Sequence, residues 1–210
     1  VQRALRWPGI HVKWTMQTAL DARQKWMEEH VPTLEASPLA EFLAAGSEGV
    51  RKQNGSEHVK FRNQSMQTLM ASKKQSGHGQ VVDLGMIDEA MAQPDDRLHQ
   101  ALRPAMKTRH RDGLPGAQLW IISTVGPAGE SEWFHSWVDA GRAAVEAGTC
   151  DADRLCFIEY SAAEDADPGD PATWWGTIRS ATQLYGFHGT QVHAVTAATL
   201  PRVGDRVRFV

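Results

Sequence analysis

Two pairs of side chains in this sequence could do chemistry together. Asp88 and Glu89 follow an apolar run at residues 81–87, and Ser123 and Thr124 follow a second at residues 119–122, with a polar, helix-like stretch between them. Two adjacent carboxylates at the C-terminal tip of a strand can divide the work of hydrolysing a nucleoside triphosphate. One holds Mg²⁺ through its water shell and the other polarises the attacking water. On this reading Asp88 is the metal-side acid and Glu89 the water-activating base. A hydroxyl pair at the tip of the neighbouring strand can sense the γ-phosphate and pass its loss to a moving element, which assigns Ser123 and Thr124 to coupling. Each pair alone has a plainer explanation: an exposed acid pair that starts a helix, or ordinary strand-ending turn chemistry. Both pairs together, at this spacing, favour the site.

Such groups need rigid elements beneath them. Residues 10–17 alternate Ile10, Val12, Trp14 and Met16 with polar residues, the period of a strand. Ala19, Ala22, Trp26, Met27, Val31 and Leu34 then recur at helical spacing, and Pro32 is expected to kink or end that helix. Residues 46–56 read as loop, with a turn at Asn54-Gly55, and residues 57–63 and 66–71 as a hairpin or two short strands. The strand ending at Asp88 is followed by a helix over 95–109, capped by Asp95 or Asp96, with Leu98, Leu102, Ala105 and Met106 as its buried stripe and Pro104 as a kink. After the strand at 118–124, Ser131 caps a helix whose apolar face is Phe134, Trp137, Val138, Gly141, Ala144 and Val145; residues 155–160 read as another strand. The acidic loop 161–170 precedes a short helix opened by Asp170-Pro171, and Val203, Val207 and Val210 suggest one strand at most in the tail. The order predicts an α/β fold, a three-layer, mostly parallel sheet.

The chain has 210 residues and a net charge of −3, distributed unevenly. Residues 1–80 hold 11 Lys and Arg against 7 Asp and Glu, residues 81–170 hold 7 against 17, and residues 171–210 hold 4 against 1. The acidic middle fits a site for a metal and its charged ligand, while the basic flanks are weak evidence of a polyanion partner. Cys150 and Cys156 make neither a disulfide framework nor a metal quartet, so a reducing, intracellular setting is expected. No apolar run is long enough to span a membrane. The phosphate-cradling loop Gly-x-x-x-x-Gly-Lys-Ser/Thr does not occur; the sequence has no Gly-Lys dipeptide at all.

Taken together, WTMQTALDARQKWMEEHVPTLEASPL (14–39), FRNQSMQTLMASKKQSGHGQVVDLGMIDEA (61–90), DDRLHQALRPAMKTR (95–109), QLWIISTVG (118–126) and FIEYSAAEDADPGDPATWW (157–175) resemble the ATPase part of a tailed-bacteriophage terminase large subunit, the DNA-packaging motor. The resemblance covers roughly residues 10–175. It implies a RecA-like (P-loop NTPase) fold, incomplete at its N-terminus, with Asp88-Glu89 as the Walker B acids and Ser123-Thr124 as the coupling motif. It further implies ATP and Mg²⁺ as cofactors, and double-stranded viral DNA, a portal protein and a small terminase subunit as partners. A homo-oligomeric ring in the cytoplasm of an infected or lysogenic bacterial host, with no membrane contact, completes that picture. The family's Walker A loop is expected upstream of Val1, and its RNase H-like nuclease acids beyond this chain. The expected division is 1–160 for the ATPase part, 161–175 for an acidic linker with a short helix, and 176–210 for a tail that matches nothing in the family. Two other readings are a non-catalytic subunit-contact or DNA-binding module and a helicase-type ATPase, which needs a second such domain downstream.

Lesser candidates are the loop Gly77, His78 and Gly79, which would line the site, and Lys73-Lys74, which would touch DNA phosphate. Glu164, Asp165, Asp167 and Asp170 read as a solvated linker rather than a nuclease cluster, and Arg97, Arg103 and Arg109, at six-residue spacing, as solvated charge. The eight Trp residues are expected mostly in the core, with Trp174-Trp175 at a junction.

Overall fold

The computed structural model describes residues 1–70, 81–107, 109, 113–114, 116–124, 131–160 and 167, and the backbone of 181–188 and 191–196. The chain divides into two compact units, Val1–His135 and Ser136–Val210.

The first unit is built on six strands: β1 (His11–Thr15), β2 (Val50–Arg51), β3 (His58–Lys60), β4 (Met66–Leu69), β5 (Leu84–Ile87) and β6 (Gln118–Ile121). Their order is β2-β3-β4-β1-β5-β6. β1 lies parallel between β4 and β5, and β5 lies parallel to β6, while β2, β3 and β4 form an antiparallel meander. The mostly parallel α/β sheet expected from the sequence is therefore present. β2 was not expected: it lies in the stretch read as loop. It is only two residues long and borrows its pairing from β3 across the turn at Asn54-Gly55, where Gly55 takes φ 81°. A two-residue edge strand carries no readable periodicity.

Pairing register decides which side chains share a face. Val12 sits beside Leu84 and Trp14 beside Met86, and these residues enter one core with Ile10, Met16, Ala22, Trp26, Val31 and Leu34. Alternation along the strands sends Gly85 and Leu119, also register partners, to the other face. There α4 (Arg97–Lys107) packs against β5: a Cβ at Gly85 would lie 3.0 Å from a Leu119 methyl and 3.1 Å from one of Leu102. Helices thus cover both faces of the sheet. The buried stripe of α4 is Leu98, Ala101, Leu102 and Ala105, with Met106 half-buried. On the edge strand β6, Trp120 and Ile122 are 52% and 40% exposed. Trp120 thus departs from the core position expected for the tryptophans, whereas Trp14 and Trp26 occupy it.

A short helix, α1 (Gln2–Arg6), precedes β1, and the helix after β1 deals with Pro32 by changing its winding. α2 (Ala19–Lys25), capped by Thr18 Oγ1 accepting from the Asp21 amide at 3.1 Å, passes into a π-helical turn, Trp26–His30, before α3 (Val31–Ala36). Val31 N–H donates to the Trp26 carbonyl, a five-residue step. Pro32 has no N–H, and its ring would crowd the carbonyl four residues earlier in a regular helix. The wider turn relieves that crowding and keeps Trp26 and Val31 on the buried face.

At the N-terminal end of β5, Asp83 is buried and accepts four contacts. Arg109 Nε reaches Oδ1 at 2.9 Å, Arg109 Nη2 reaches Oδ2 at 2.8 Å, the His11 amide donates to Oδ2 at 2.7 Å, and the Gln118 amide donates to its carbonyl at 3.0 Å. Arg109 also donates to the Gly9 carbonyl at 3.2 Å. Arg109, expected to be solvated, is instead the partly buried counter-ion of Asp83 at the base of the sheet. Arg97, by contrast, forms an exposed pair with Asp95, and Arg103 is exposed, both as expected.

Helix α5 (Glu132–Ala147) starts as predicted at Ser131, whose Oγ accepts from the Phe134 amide at 3.3 Å. In the second unit Gly141 lies directly against Phe157, where a Cβ would come within 2.2 Å of the ring, so only glycine fits. Arg142 pairs with Glu159 alongside. The predicted strand near 155–160 forms as β7 (Ile158–Tyr160), but it joins β8 (Ala181–His188) and β9 (Gln191–Thr196) in a separate antiparallel sheet rather than the parallel one. The described part of the tail therefore holds two strands, where one at most was expected. Gln, Gly and His interrupt their apolar alternation, and antiparallel backbone pairing needs no particular side chain. Val203, Val207, Val210, Trp174-Trp175 and the helix expected at Asp170-Pro171 lie outside the described residues. Among the described residues no helix is long and apolar enough to cross a membrane.

Two predictions follow from this packing. Asp83→Asn leaves the Arg109 guanidinium without its anion in a nearly closed site and should lower unfolding free energy by about 3 kcal/mol in chemical denaturation. His30, tilted against Trp14 at 4.5 Å between ring centroids, and His99 are both held below the ordinary 6.5, each chiefly by burial and then by a nearby cation, Lys25 or Arg103. The unfolded chain then takes up protons that the folded chain resists, so stability is complete above the unfolded value and falls as pH drops through it. The melting temperature should fall between about pH 7.5 and 5.5, and His30→Gln should make that fall smaller.

Candidate active site

The C-terminal ends of β1, β5 and β6 lie side by side, and the two sequence-predicted pairs come together there. Ladder bonding runs past the strands' formal ends: the Asp88 amide donates to the Thr15 carbonyl at 2.9 Å, and the Ile122 amide to the Ile87 carbonyl at 2.9 Å. Asp88 and Ser123 are thereby delivered on adjacent parallel strands at one edge of the sheet.

Asp88 is partly covered, its side chain 21% exposed. Its Oδ1 accepts from the Glu89 amide at 3.1 Å, and its Oδ2 lies 3.4 Å from Lys25 Nζ. Glu89 itself is exposed and adopts φ 52°, ψ 46°, the left-handed region. A non-glycine residue there carries about 1–2 kcal/mol of steric strain, and such strain persists only where surrounding contacts over-determine it.

Those contacts are present. A short 3₁₀ turn, Ala90–Ala92, follows Glu89. The Ala90 amide donates to the Ile122 carbonyl at 3.1 Å, and the Met91 amide donates to Ser123 Oγ at 3.0 Å. Ser123 Oγ in turn donates to the Thr124 carbonyl at 2.8 Å. The Ser123 hydroxyl is therefore engaged on both sides, tying the tip of β6 to the turn that carries Glu89, while Thr124 is exposed. Gln93, buried, closes the turn from the far side. Its Nε2 donates to the Met16 carbonyl at 3.0 Å, and its own carbonyl accepts from Ser131 Oγ at 2.7 Å. These bonds join the tip of β6, the Glu89 turn and Ser131 at the start of α5.

Sequence reading missed Gln93 and Lys25. Lys25 offered a signal only as a member of helical charge pairs, one turn from Asp21 and Glu29. Its reach to Asp88 depends on α2 folding back over the sheet edge. Gly77, His78, Gly79 and Lys73-Lys74 lie outside the described residues, as do Glu164, Asp165 and Asp170; Asp167 is exposed.

Among the described residues no group of three or more His, Cys, Asp and Glu is placed to hold a metal. The donor set present suits Mg²⁺ in a different way. Mg²⁺ keeps most of its waters and takes one or two carboxylates together with substrate phosphates. Asp88, a partly exposed carboxylate at the sheet edge, is one hard-oxygen ligand of that kind.

The strained turn makes a direct prediction. Glu89→Gly removes the carboxylate and relieves the left-handed residue, so it should raise unfolding free energy by roughly 0.5–1 kcal/mol, read by chemical denaturation.

No family model and no curated protein matches the chain. Among solved structures it is similar to the HK97 bacteriophage large terminase, with a TM-score of 0.58 at 16% identity, over 82% of this chain and 34% of that one. It is also similar to the large terminase of a thermophilic bacteriophage, with a TM-score of 0.46 at 16% identity over 65% of this chain and 31% of that one. In its ADP complex the corresponding values are 0.40 and 13%, over 56% and 26%. The chain spans about a third of the length of the HK97 protein it matches, and its mostly parallel α/β sheet is similar in fold to the matched part of that protein.

Proposed function

We propose that this chain is the ATPase part of a phage terminase large subunit, coupling ATP hydrolysis to the packaging of viral double-stranded DNA. The observation that carries the reading is the meeting of Asp88-Glu89 and Ser123-Thr124 at one edge of a parallel sheet, with the Glu89 turn bonded to Ser123. The likeness in fold to a large terminase supports it.

Asp88 would hold a Mg²⁺ ion through the ion's water shell, and that ion would supply charge neutralisation at the nucleotide phosphates. Glu89, exposed at the tip and pre-set by its turn, accepts a hydrogen bond from the attacking water and orients it. Loss of the γ-phosphate is felt at Thr124 and Ser123 and transmitted to the Glu89 turn through the Met91 amide. These 210 residues hold no Gly-x-x-x-x-Gly-Lys-Ser/Thr loop, so the chain alone is expected to bind ATP poorly. In the assembled motor its partners are DNA, a portal protein, a small terminase subunit and further copies of itself in a ring, in the host cytoplasm. The missing phosphate loop also supports a second reading, a non-catalytic module that contacts DNA or neighbouring subunits.

Steady-state ATPase activity separates the two. A version extended upstream should hydrolyse ATP with Mg²⁺ and DNA, this chain should turn over little, and Glu89→Gln in the extended version should abolish turnover while sparing nucleotide binding. Turnover retained by Glu89→Gln removes the catalytic assignment, and inactivity of both versions together with DNA binding indifferent to Asp88→Ala favours the module.

A further inference from the structure

Lys25 is the one cationic side chain paired with either acid of the candidate site among the described residues. It ends α2, the helix that follows β1, and places Nζ 3.4 Å from Asp88 Oδ2. Lys25 is 34% exposed and Asp88 21%, so the pair is neither sealed from water nor held at the 2.7–2.9 Å of a tight charge-assisted bond. Asp88's other oxygen is taken by the Glu89 amide. The oxygen facing Lys25 is therefore the one a cation would have to reach.

We propose that Lys25 is a positioning residue for the divalent-cation site, acting as the resident counter-ion of Asp88. It holds the carboxylate toward α2 when no cation is bound and yields it when a cation arrives. The proposal rests on the reading of Asp88 as the metal-side acid. A weak, partly hydrated pair suits the task. It neutralises an acid that would otherwise sit close to Glu89 at the same tip, yet it gives way to an ion of twice its charge. The ammonium also sets a threshold, because Coulomb repulsion from Nζ opposes a bare cation. A cation that arrives with phosphate charge meets less of that repulsion. Asp88 would then take up its ion mainly together with a nucleotide, which discourages idle occupation.

The test uses the 210-residue chain and Mn²⁺ alone, titrated by electron paramagnetic resonance of the free ion. Lys25→Met keeps the length of the side chain and removes its charge; it should tighten Mn²⁺ binding by about threefold or more. Lys25→Arg should stay within roughly twofold of the unsubstituted chain, because the charge remains. Asp88→Asn should weaken binding and erase the effect of Lys25→Met in the double variant. A lower melting temperature in Lys25→Met with unchanged Mn²⁺ binding makes the pair merely structural and overturns the proposal, while a loss in Asp88→Asn leaves the Asp88 reading standing. Mn²⁺ binding that is absent throughout, or indifferent to Asp88→Asn in both backgrounds, overturns the Asp88 reading and the proposal with it.

Discussion

The ion pair of buried Asp83 with partly buried Arg109 is the constraint on which the rest of the first unit depends. Asp83 is the residue before β5, and its carboxylate, carbonyl and amide reach Arg109, His11 and Gln118. One residue therefore sets β5 against β1, β6 and the chain leaving α4. Since side chains alternate along a strand, a slip by one position would turn Leu84 and Met86 out of the core and send Gly85 into it. It would also carry Asp88 to the wrong face at the far end of the same strand. A carboxylate with a bidentate guanidinium and a backbone amide has little reason to accept another register, because every alternative leaves a buried charge short of partners.

From that base, the sheet carries geometry upward to the candidate site. Gly85 lets Leu102 of α4 approach the strand closely, and the Trp14–Trp26 core fills the opposite face. Between two packed faces β5 has little freedom, and its tip can hold a residue in an unfavourable conformation. Glu89 occupies the left-handed region because Ala90, Met91 and Gln93 are each bonded to a different neighbour: the β6 tip, Ser123, and the ends of β1 and α5. The strain and the bonds that sustain it have one origin, the short turn forced between β5 and the start of α4.

Much of this was legible beforehand because it is local. The period-two run at residues 10–17, the caps at Ser131 and Asp95–Asp96, and two apolar runs each ending in polar tips are patterns within a few residues of one another. Pro32 announced a disturbance in its helix but not its form, since a kink and a π-helical turn both satisfy a missing N–H. Arg109 was read as solvated because charge without a nearby opposite charge usually is; its partner Asp83 lies 26 positions away. Strand β7 was correctly placed in the chain and wrongly placed in space, since a three-residue run cannot say which neighbour it will pair with.

The amino-acid order by itself determined the α/β class, the strands carrying Asp88-Glu89 and Ser123-Thr124, and the resemblance those segments carry. These depend on short-range periodicity and on residue types that act within one turn or one strand tip. Tertiary structure alone decided that Lys25 faces Asp88, that Ser123 bonds the turn of Glu89 and that buried Asp83 pairs with Arg109. Each of these joins residues 26 or more positions apart. Such pairings are chosen by the packing of the whole sheet, where apolar burial and unpaired charge are weighed together, and no local pattern records that choice.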